Sequence, residues 1–301
     1  MKPLMLAILA LAAVPVTAEQ RDRGYSEFKV EQKDTIQKSL AFSGSAAPRT
    51  VRIDNVFGAV RVTGYDGATV EISAARVARA ESQDRLKVGL EEVQLKLSEK
   101  DNTIEAYVDG PFRCHCDGRD GRDGHDGINY RGRNYYGYEV RYDFDVKVPR
   151  SAKVWIRNVN SGEVSVEGIG GGYDVENING GITMRDVAGS GRAYALNGGL
   201  HVTFTDNPRE NSYFGSLNGV VEASFRPGLS ADIRFKTFNG AVYTDFPVVT
   251  YLPTEPGKTE RRDGKYVYKS NSFTGVRVGT GGPELKFDAF NGNIRILQRE
   301  K

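Results

Sequence analysis

Apolar and polar residues alternate around an Asn-Gly pair that recurs in the C-terminal half of the chain. Two and four residues after the glycine the side chain is mostly apolar, and the residue between them is mostly polar, as in Ile182-Thr183-Met184 and Leu200-His201-Val202. This period of two is typical of a β-strand with one buried face. The pattern therefore predicts a short strand after each Asn-Gly pair.

The spacing of these pairs indicates how the strands are arranged. The repeat glycines follow one another at steps of 18, 18, 21, 21 and 52 residues: Gly162, Gly180, Gly198, Gly219, Gly240 and Gly292. Residues five and two positions before the glycine are also mostly apolar, so each unit would turn the same side chains inward and stacked units would bury a common core. We expect an all-β fold, a β-solenoid or β-helix-like stack of 18–21-residue repeats.

An Asn-Gly pair also suits the two-residue turn of a β-hairpin, because both residues accept positive φ. Hairpins would produce a meander. Two observations favour the solenoid. The apolar positions are three residues apart before the Asn-Gly pair but two apart after it, and asparagine returns once per unit. Equivalent asparagines would then lie above one another, and we expect them to form a structural ladder of side-chain hydrogen bonds: Asn179, Asn197, Asn218, Asn239 and Asn291.

The N-terminal segment has the features of a secretory signal peptide. Residues 1–18 contain Lys2, an apolar run from Leu4 to Val16, and the small-x-small pattern Val16-Thr17-Ala18. The run is shorter than the about 20 apolar residues that span a bilayer, so we expect export and cleavage. No later stretch is apolar enough to cross a membrane. The mature chain would lie in the periplasm, on the cell surface or outside the cell.

The remaining chain divides into a lead-in, a cap and the repeat. Residues 19–49 are a polar lead-in with one edge strand at most. Residues 50–150 predict an N-terminal β cap with a short helix near 80–88, and its strands at 103–108 and 138–148 are expected to pair with each other. Between those strands lies a loop at 111–137, expected to be mobile. Residues 151–298 contain the repeat domain, with an insertion at 252–269.

Charge and cysteine content narrow the function classes. The formal net charge of the 301 residues is +2, so no general attraction to nucleic acid or anionic lipid is expected. There are two cysteines, although export implies an oxidising compartment. A packed core, and not a set of disulfides, must therefore hold the fold.

Together these segments resemble a bacterial domain-of-unknown-function family whose members are described as adhesins with β-strand repeats. The resemblance rests on Val51–Val62 with Gly64-Tyr65-Asp66-Gly67, on the strand end Val146-Lys147-Val148-Pro149, and on the Asn-Gly-x-apolar-x-apolar units after Ala152. It covers roughly residues 28–298. The resemblance implies an exported, β-solenoid-like protein of the cell envelope without catalytic residues. The Gly/Asp-rich loop at 117–127 departs from the family pattern.

The loop contains the side chains with the most distinctive chemistry. Cys114 and Cys116 would form a disulfide, within or between chains, contribute to a metal site, or remain free without a function. Four aspartates recur every three residues among glycines, and their oxygens suit Ca²⁺, although a solvated loop tip fits them as well. The residues of such a metal site would be Cys114, His115, Cys116, Asp117, Asp120, Asp123, His125 and Asp126.

Tyrosines and arginines alternate in the second half of the same loop. Tyrosine rings stack on sugars and arginines bind acidic glycans, so this part of the loop is a candidate ligand contact. The alternative is a hairpin whose rings pack against the sheet. The candidate residues are Tyr130, Arg131, Arg133, Tyr135 and Tyr136.

The positions of the carboxylates in the repeat bear on whether the protein could be an enzyme. The acid and base of a polysaccharide-cleaving site must lie close together, and no two of the tested residues share a register in neighbouring units: Glu167, Asp186, Asp206, Glu222 and Asp245. No catalytic residue and no cofactor is assigned. We expect a non-enzymatic envelope or surface protein with an adhesin-like binding or structural role, whose partner is an envelope glycan or another envelope protein. The alternatives are an enzyme acting on an envelope polysaccharide and a sensor or partner domain.

Overall fold

The structure is a computed structural model that describes residues 27–44, 48–114, 127–128, 136–254, 259–262, 265–268 and 273–299. Over these residues the chain is all-β with one helix, and most strands belong to two large sheets of 10 and 11 strands. The predicted signal peptide and residues 115–126 and 129–135 of the loop lie outside the described residues.

The N-terminal part forms nine strands and the helix α1 (Gln83–Glu92). The strands are β1 (Val30–Ala41), β2 (Thr50–Asp54), β3 (Val60–Tyr65), β4 (Thr69–Ala80), β5 (Gln94–Lys100), β6 (Thr103–Asp109), β7 (Arg113–Cys114), β8 (Gly127–Ile128) and β9 (Tyr138–Pro149). β1 is an edge strand that pairs antiparallel with β4 over its whole length.

The helix begins later than the composition indicates. Ala80 is still the last residue of β4, and the Ser82 side chain caps the helix by accepting a hydrogen bond from the Arg85 amide. Gly89 lies inside the helix, where a Cβ would come within 2.7 Å of the Tyr138 ring. Glycine is thus present because the helix packs closely on β9.

The expected pairing of the strands at 103–108 and 138–148 is wrong. β6 pairs with β2 and β5 in the 11-stranded sheet, whereas β9 pairs with β3 and β4 in the 10-stranded sheet. Their alternation of apolar residues fits either sheet, so the sequence pattern did not specify the partner.

The repeat region contributes sixteen further strands. They are β10 (Lys153–Asn158), β11 (Val164–Glu167), β12 (Tyr173–Asn177), β13 (Ile182–Val187), β14 (Gly191–Ala195), β15 (Leu200–Phe204), β16 (Ser212–Asn218), β17 (Val221–Phe225), β18 (Ala231–Asn239), β19 (Val242–Thr244), β20 (Val248–Leu252), β21 (Thr259–Arg262), β22 (Lys265–Tyr268), β23 (Thr274–Val278), β24 (Glu284–Asn291) and β25 (Ile294–Gln298). β21 and β22 pair with each other, apart from the large sheets.

Each Asn-Gly pair joins a strand of the 11-stranded sheet to a strand of the 10-stranded sheet, so the pairs are not hairpin turns. We call two strands joined in this way a rung. Equivalent strands of neighbouring rungs pair parallel and in register, for example Val164 with Ile182 and Val175 with Ala193. Their inward side chains fill the space between the sheets, and Phe214 and Phe287 are fully buried there.

A simple solenoid is nevertheless not confirmed. Both sheets are mixed, because antiparallel strands lie at one end of the 10-stranded sheet and at both ends of the 11-stranded sheet. The spatial order of the rungs also differs from their order in the chain. The last rung in the chain, β24/β25, lies between β16/β17 and β18/β19. The column two residues before the repeat glycine is core at Val56 only. Ile178, Leu196 and Leu217 are half-buried, Phe238 is 70% exposed and Phe290 44%. Buried polar side chains such as Asn177 occupy the inside of this corner and leave the next residue outside.

Candidate functional site

The asparagines of the repeat form a continuous row of side-chain hydrogen bonds along one corner of the stack. Each Nδ2 donates to the Oδ1 of the preceding rung at 2.7–2.9 Å. In spatial order the row runs Asn160, Asn179, Asn197, Asn218, Asn291 and Asn239. Their hydrogen-bonding groups are occupied by one another, so this row stabilises the stack and is a poor candidate for a binding site.

The outward face of the 11-stranded sheet has a different character, since aromatic and charged side chains line up along two columns. The register of the strands places the first column six residues before the repeat glycine and the second four residues before it, except that Trp155 and Arg157 lie one residue further from Gly162. The first column runs Arg52, Trp155, Asp174, Arg192, Tyr213, Lys286 and Arg234, and the second runs Arg157, Glu176, Tyr194, Gly215, Asp288 and Lys236. We call this surface the aromatic–charged face.

Arg192 is the centre of this face. Its Nη1 lies 3.2 Å from a carboxylate oxygen of Glu176 and 3.6 Å from one of Asp174. The same guanidinium lies over the rings of Tyr194 and Tyr213, 5.2 and 5.8 Å from their centroids. These contacts hold the guanidinium in place, while about a third of the side chain stays exposed.

A glycine shapes the surface next to Arg192. A Cβ on Gly215 would come within 2.7 Å of the Tyr194 ring and 2.9 Å of the Tyr213 ring, so the two tyrosines cover the backbone at this position. Burial raises the pKa of both tyrosines, and the nearby Asp288 carboxylate raises it further. Both hydroxyls therefore stay protonated at neutral pH and can donate hydrogen bonds.

A shallow depression of about 370 Å³ opens beside Arg192, where the strands of this sheet begin. Its wall includes Tyr173, whose side chain is buried and whose hydroxyl has no hydrogen bond of good geometry among the described residues. The Ser212 hydroxyl lies near enough to interact with it, and burial raises the pKa of Tyr173. Gly191 is required here, because a Cβ would approach the Tyr173 carbonyl oxygen to 1.9 Å. Tyr173 shares the inward register of the buried Val154, so its hydroxyl lies on the core side of the sheet and not in the depression.

At the other end of the face, the chain that leads into the loop lies on the same sheet. The Arg113 side chain is 2% exposed, and its Nη1 lies 2.9 Å from Oδ1 of the buried Asp54. The Arg113 guanidinium also donates hydrogen bonds to the carbonyl oxygens of Asp54 and Val108 and stacks over the Tyr107 ring. This arginine anchors the start of the loop.

Most of the loop residues singled out from the sequence lie outside the described residues. They are His115, Cys116, Asp117, Asp120, Asp123, His125, Asp126, Tyr130, Arg131, Arg133 and Tyr135. Cys114 ends the short strand β7, and Tyr136 is half-buried with its ring stacked 5.6 Å from that of Tyr138. The disulfide and the metal site stay predictions, and within the described part of the chain no group of three metal-ligating side chains is found.

The carboxylates tested for catalysis lie away from this face. Glu167 and Glu222 belong to the 10-stranded sheet, Asp186 pairs with Arg299 at 2.6 Å, and Asp245 accepts a hydrogen bond from the Gln298 amide. The carboxylates of the aromatic–charged face were not predicted, because Asp174 and Glu176 lie before a repeat glycine whereas the carboxylates tested for catalysis lie after one. The columns at six and four residues before that glycine contained the signal.

Comparisons with known proteins add two solved structures. No family model and no curated protein matches the chain. A putative cell adhesion protein from Clostridium sporogenes is 11% identical, with a TM-score of 0.38 over 89% of this chain and all of that one. A putative adhesin from Bacteroides fragilis is 10% identical, with a TM-score of 0.29 over 88% of this chain and 97% of that one. These scores are too low to support a conclusion about fold or function. No helix in the described ranges is long and apolar enough to cross a membrane.

Proposed function

We propose that this chain is a non-enzymatic binding protein of the cell envelope and that its aromatic–charged face contacts an envelope glycan. The observation that supports this proposal most directly is the arrangement around Arg192. A guanidinium fixed by two carboxylates lies between two tyrosine rings and beside an open depression.

This arrangement suits a sugar for physical reasons. Tyrosine rings offer flat apolar surfaces, and a tyrosine hydroxyl can donate a hydrogen bond, as that of Tyr213 does to Oδ2 of Asp288 at 3.4 Å. Carboxylates and a guanidinium on adjacent rungs accept from and donate to neighbouring sugar hydroxyls. Because strands in a sheet repeat about every 4.8 Å, a column of such groups can follow an extended chain of sugar units.

An enzyme acting on the same polysaccharide is the rival function. Asp174 and Glu176 lie on one strand and both contact Arg192, so this pair is the natural test of it. If the full chain releases reducing ends from a bound glycan, and Glu176→Gln abolishes the release without weakening binding, the protein is an enzyme and our proposal is wrong.

A glycan array probed with the full chain, followed by calorimetry on the best glycan, tests the proposal. We expect Arg192→Gln to weaken binding at least tenfold. The matched control is Arg295→Gln on the 10-stranded sheet, because Arg295 pairs with Glu222 at 3.3 Å much as Arg192 pairs with Glu176 at 3.2 Å. Binding that is unchanged in Arg192→Gln, or equally weakened in both variants, would remove the aromatic–charged face as the contact site.

A further inference from the structure

One end of the stack leaves apolar side chains in solvent. All large hydrophobic residues that are exposed in the described part of the chain lie there: Phe238, Tyr243, Val248, Val249, Tyr251 and Phe290. The opposite end is closed by the long antiparallel strand β1 and by β5. Stacked-repeat folds need a polar cap at each end to stay soluble, so the uncapped end is expected to have a partner.

The two sheets end at different heights at this open end. The 10-stranded sheet stops at β19, whereas the 11-stranded sheet continues past β18 by two strands, β23 and β20. We call these two strands the overhang. Tyr251 of β20 lies opposite Val276, which lies opposite the core residue Ile233, so Tyr251 is on the inward face of the sheet. No strand of the described 10-stranded sheet lies opposite it, and Tyr251 is 78% exposed.

We propose that two copies of this chain join through this step about a two-fold axis parallel to the strands. The axis exchanges the two sheets, so the overhang of each copy enters the space beyond β19 of the other. Within a rung the chain reverses direction at the Asn-Gly corner, so β18 and β19 run in opposite directions. β23 is antiparallel to both β18 and β20, so β20 runs in the same direction as β18. β19 of one copy therefore meets β20 of the second copy antiparallel, and both open edges are paired.

The step is self-complementary in size. The two-strand overhang of one copy fills the space of two strands that is left beyond β19 of the other copy. Val276 and Val278 on the inward face of β23 are already buried within one copy, so β20 makes the contact. It packs against the overhang of the second copy, which brings the two Tyr251 side chains into one apolar layer. Such an interface is isologous and closes after two copies, so it does not grow into a filament.

Area and charge at the open end fit a stable dimer. Full burial of an aromatic side chain removes about 150–250 Å², so the exposed parts of Phe238, Tyr243, Tyr251 and Phe290 amount to roughly 500 Å² per copy. Tyr243 shares the outward register of Arg295, so this sum is an upper limit, and two copies with their valines and strand edges come to about the lower end of the 1,200–2,000 Å² of a standard interface. Residues 236–254 contain only two charged residues, Lys236 and Asp245, as expected of an interface core.

Sedimentation velocity on the full chain tests the dimer. We expect a concentration-dependent monomer–dimer equilibrium, and we expect Val249→Lys combined with Tyr251→Lys to weaken dimerisation at least tenfold. Both positions are exposed, so the fold is expected to survive, which circular dichroism checks. Thr35→Lys, on the exposed edge strand β1 at the capped end, is the matched control. A wild-type chain that stays monomeric at high concentration would overturn the proposal.

Cross-linking tests the geometry without depending on a folded charge variant. In a background with Cys114→Ser and Cys116→Ser, a chain with Tyr243→Cys on β19 is mixed with a chain with Thr250→Cys on β20 and treated with a short bis-maleimide. The proposed axis predicts heterodimeric cross-links between the two chains. Cross-links only between two Tyr243→Cys chains would mean that β19 pairs with itself, and the proposed dimer would be wrong.

Discussion

Asn291 donates a side-chain hydrogen bond from its Nδ2 to Oδ1 of Asn218 at 2.8 Å, although 73 residues separate them. Asn239, which follows Asn218 in the repeat, instead donates to Asn291 at 2.7 Å. The C-terminal rung is therefore inserted between two rungs that are consecutive in the chain. This places the β24/β25 rung one position inside the open end of the stack and leaves the earlier β18/β19 rung at that end.

Asn291 therefore contributes two bonds to the ladder, whereas Asn239 contributes one. We expect Asn291→Ala to lower the free energy of unfolding by about 1–2 kcal/mol and Asn239→Ala by about 0.5–1 kcal/mol, because a net hydrogen bond is worth about 0.5–1.5 kcal/mol. Urea unfolding monitored by circular dichroism measures both. If Asn239→Ala costs as much as Asn291→Ala, the inserted position of the C-terminal rung is not supported.

The buried pair of Asp54 and Arg113 should be among the most sensitive positions. Removing one partner leaves an uncompensated charge in the interior, so we expect Arg113→Met to lower the free energy of unfolding by about 3–5 kcal/mol. The pair of Arg209 and Asp206 is largely exposed, with its charges 3.9 Å apart. As the control, Arg209→Met should change the stability by less than about 0.5 kcal/mol. Comparable effects of both substitutions in urea unfolding would contradict a structural role for Arg113.

Gly89 offers a test in which two effects oppose each other. Replacing a helix glycine by alanine usually stabilises by up to about 1 kcal/mol. At this position the added Cβ would lie 2.7 Å from the Tyr138 ring, so we expect Gly89→Ala to destabilise by about 1–3 kcal/mol. Thermal unfolding measures the change, and Glu91→Ala on the exposed side of α1 is the control. A stabilised Gly89→Ala variant would show that α1 does not pack this closely on β9.

The sequence predicted the registers of the repeat but not its order. Positions two residues after the repeat glycine align as core neighbours, and counting from the glycine places Val221 and Ile294 on the correct strands. The order of the last two rungs was not predictable in this way. Val242 and Ile294 are both apolar there, and Phe235 and Phe287 both fill the earlier column, so either rung could follow β16/β17.

Part of the aromatic–charged face could be predicted from the sequence. The columns that contain Arg192 and Tyr213 follow from the same count of residues, once the polar positions before the glycine are included. The packing of the Tyr194 and Tyr213 rings over the backbone could not be predicted, because it depends on the space that Gly215 leaves for them. The step at the open end could not be predicted either, since β20 (Val248–Leu252) has no alternating pattern that assigns it to a sheet.

Asp232 makes the root of the overhang sensitive to acid. Its carboxylate accepts two hydrogen bonds from Arg277, at 2.7 and 2.8 Å, which join β18 to β23. These charge-assisted bonds lower the pKa of Asp232 below its usual value. The unfolded chain then binds more protons than the folded one, so this stabilisation is fully present above about pH 4 and is lost as the pH falls through the lowered pKa. We expect Asp232→Asn to lower the stability at neutral pH and to reduce the loss of stability between about pH 5 and pH 2.

Urea unfolding across this pH range measures both effects of Asp232→Asn, with Asp66→Asn at an exposed position as the control. A pH dependence in Asp232→Asn as steep as in the wild type would show that this ion pair is not what the acid breaks.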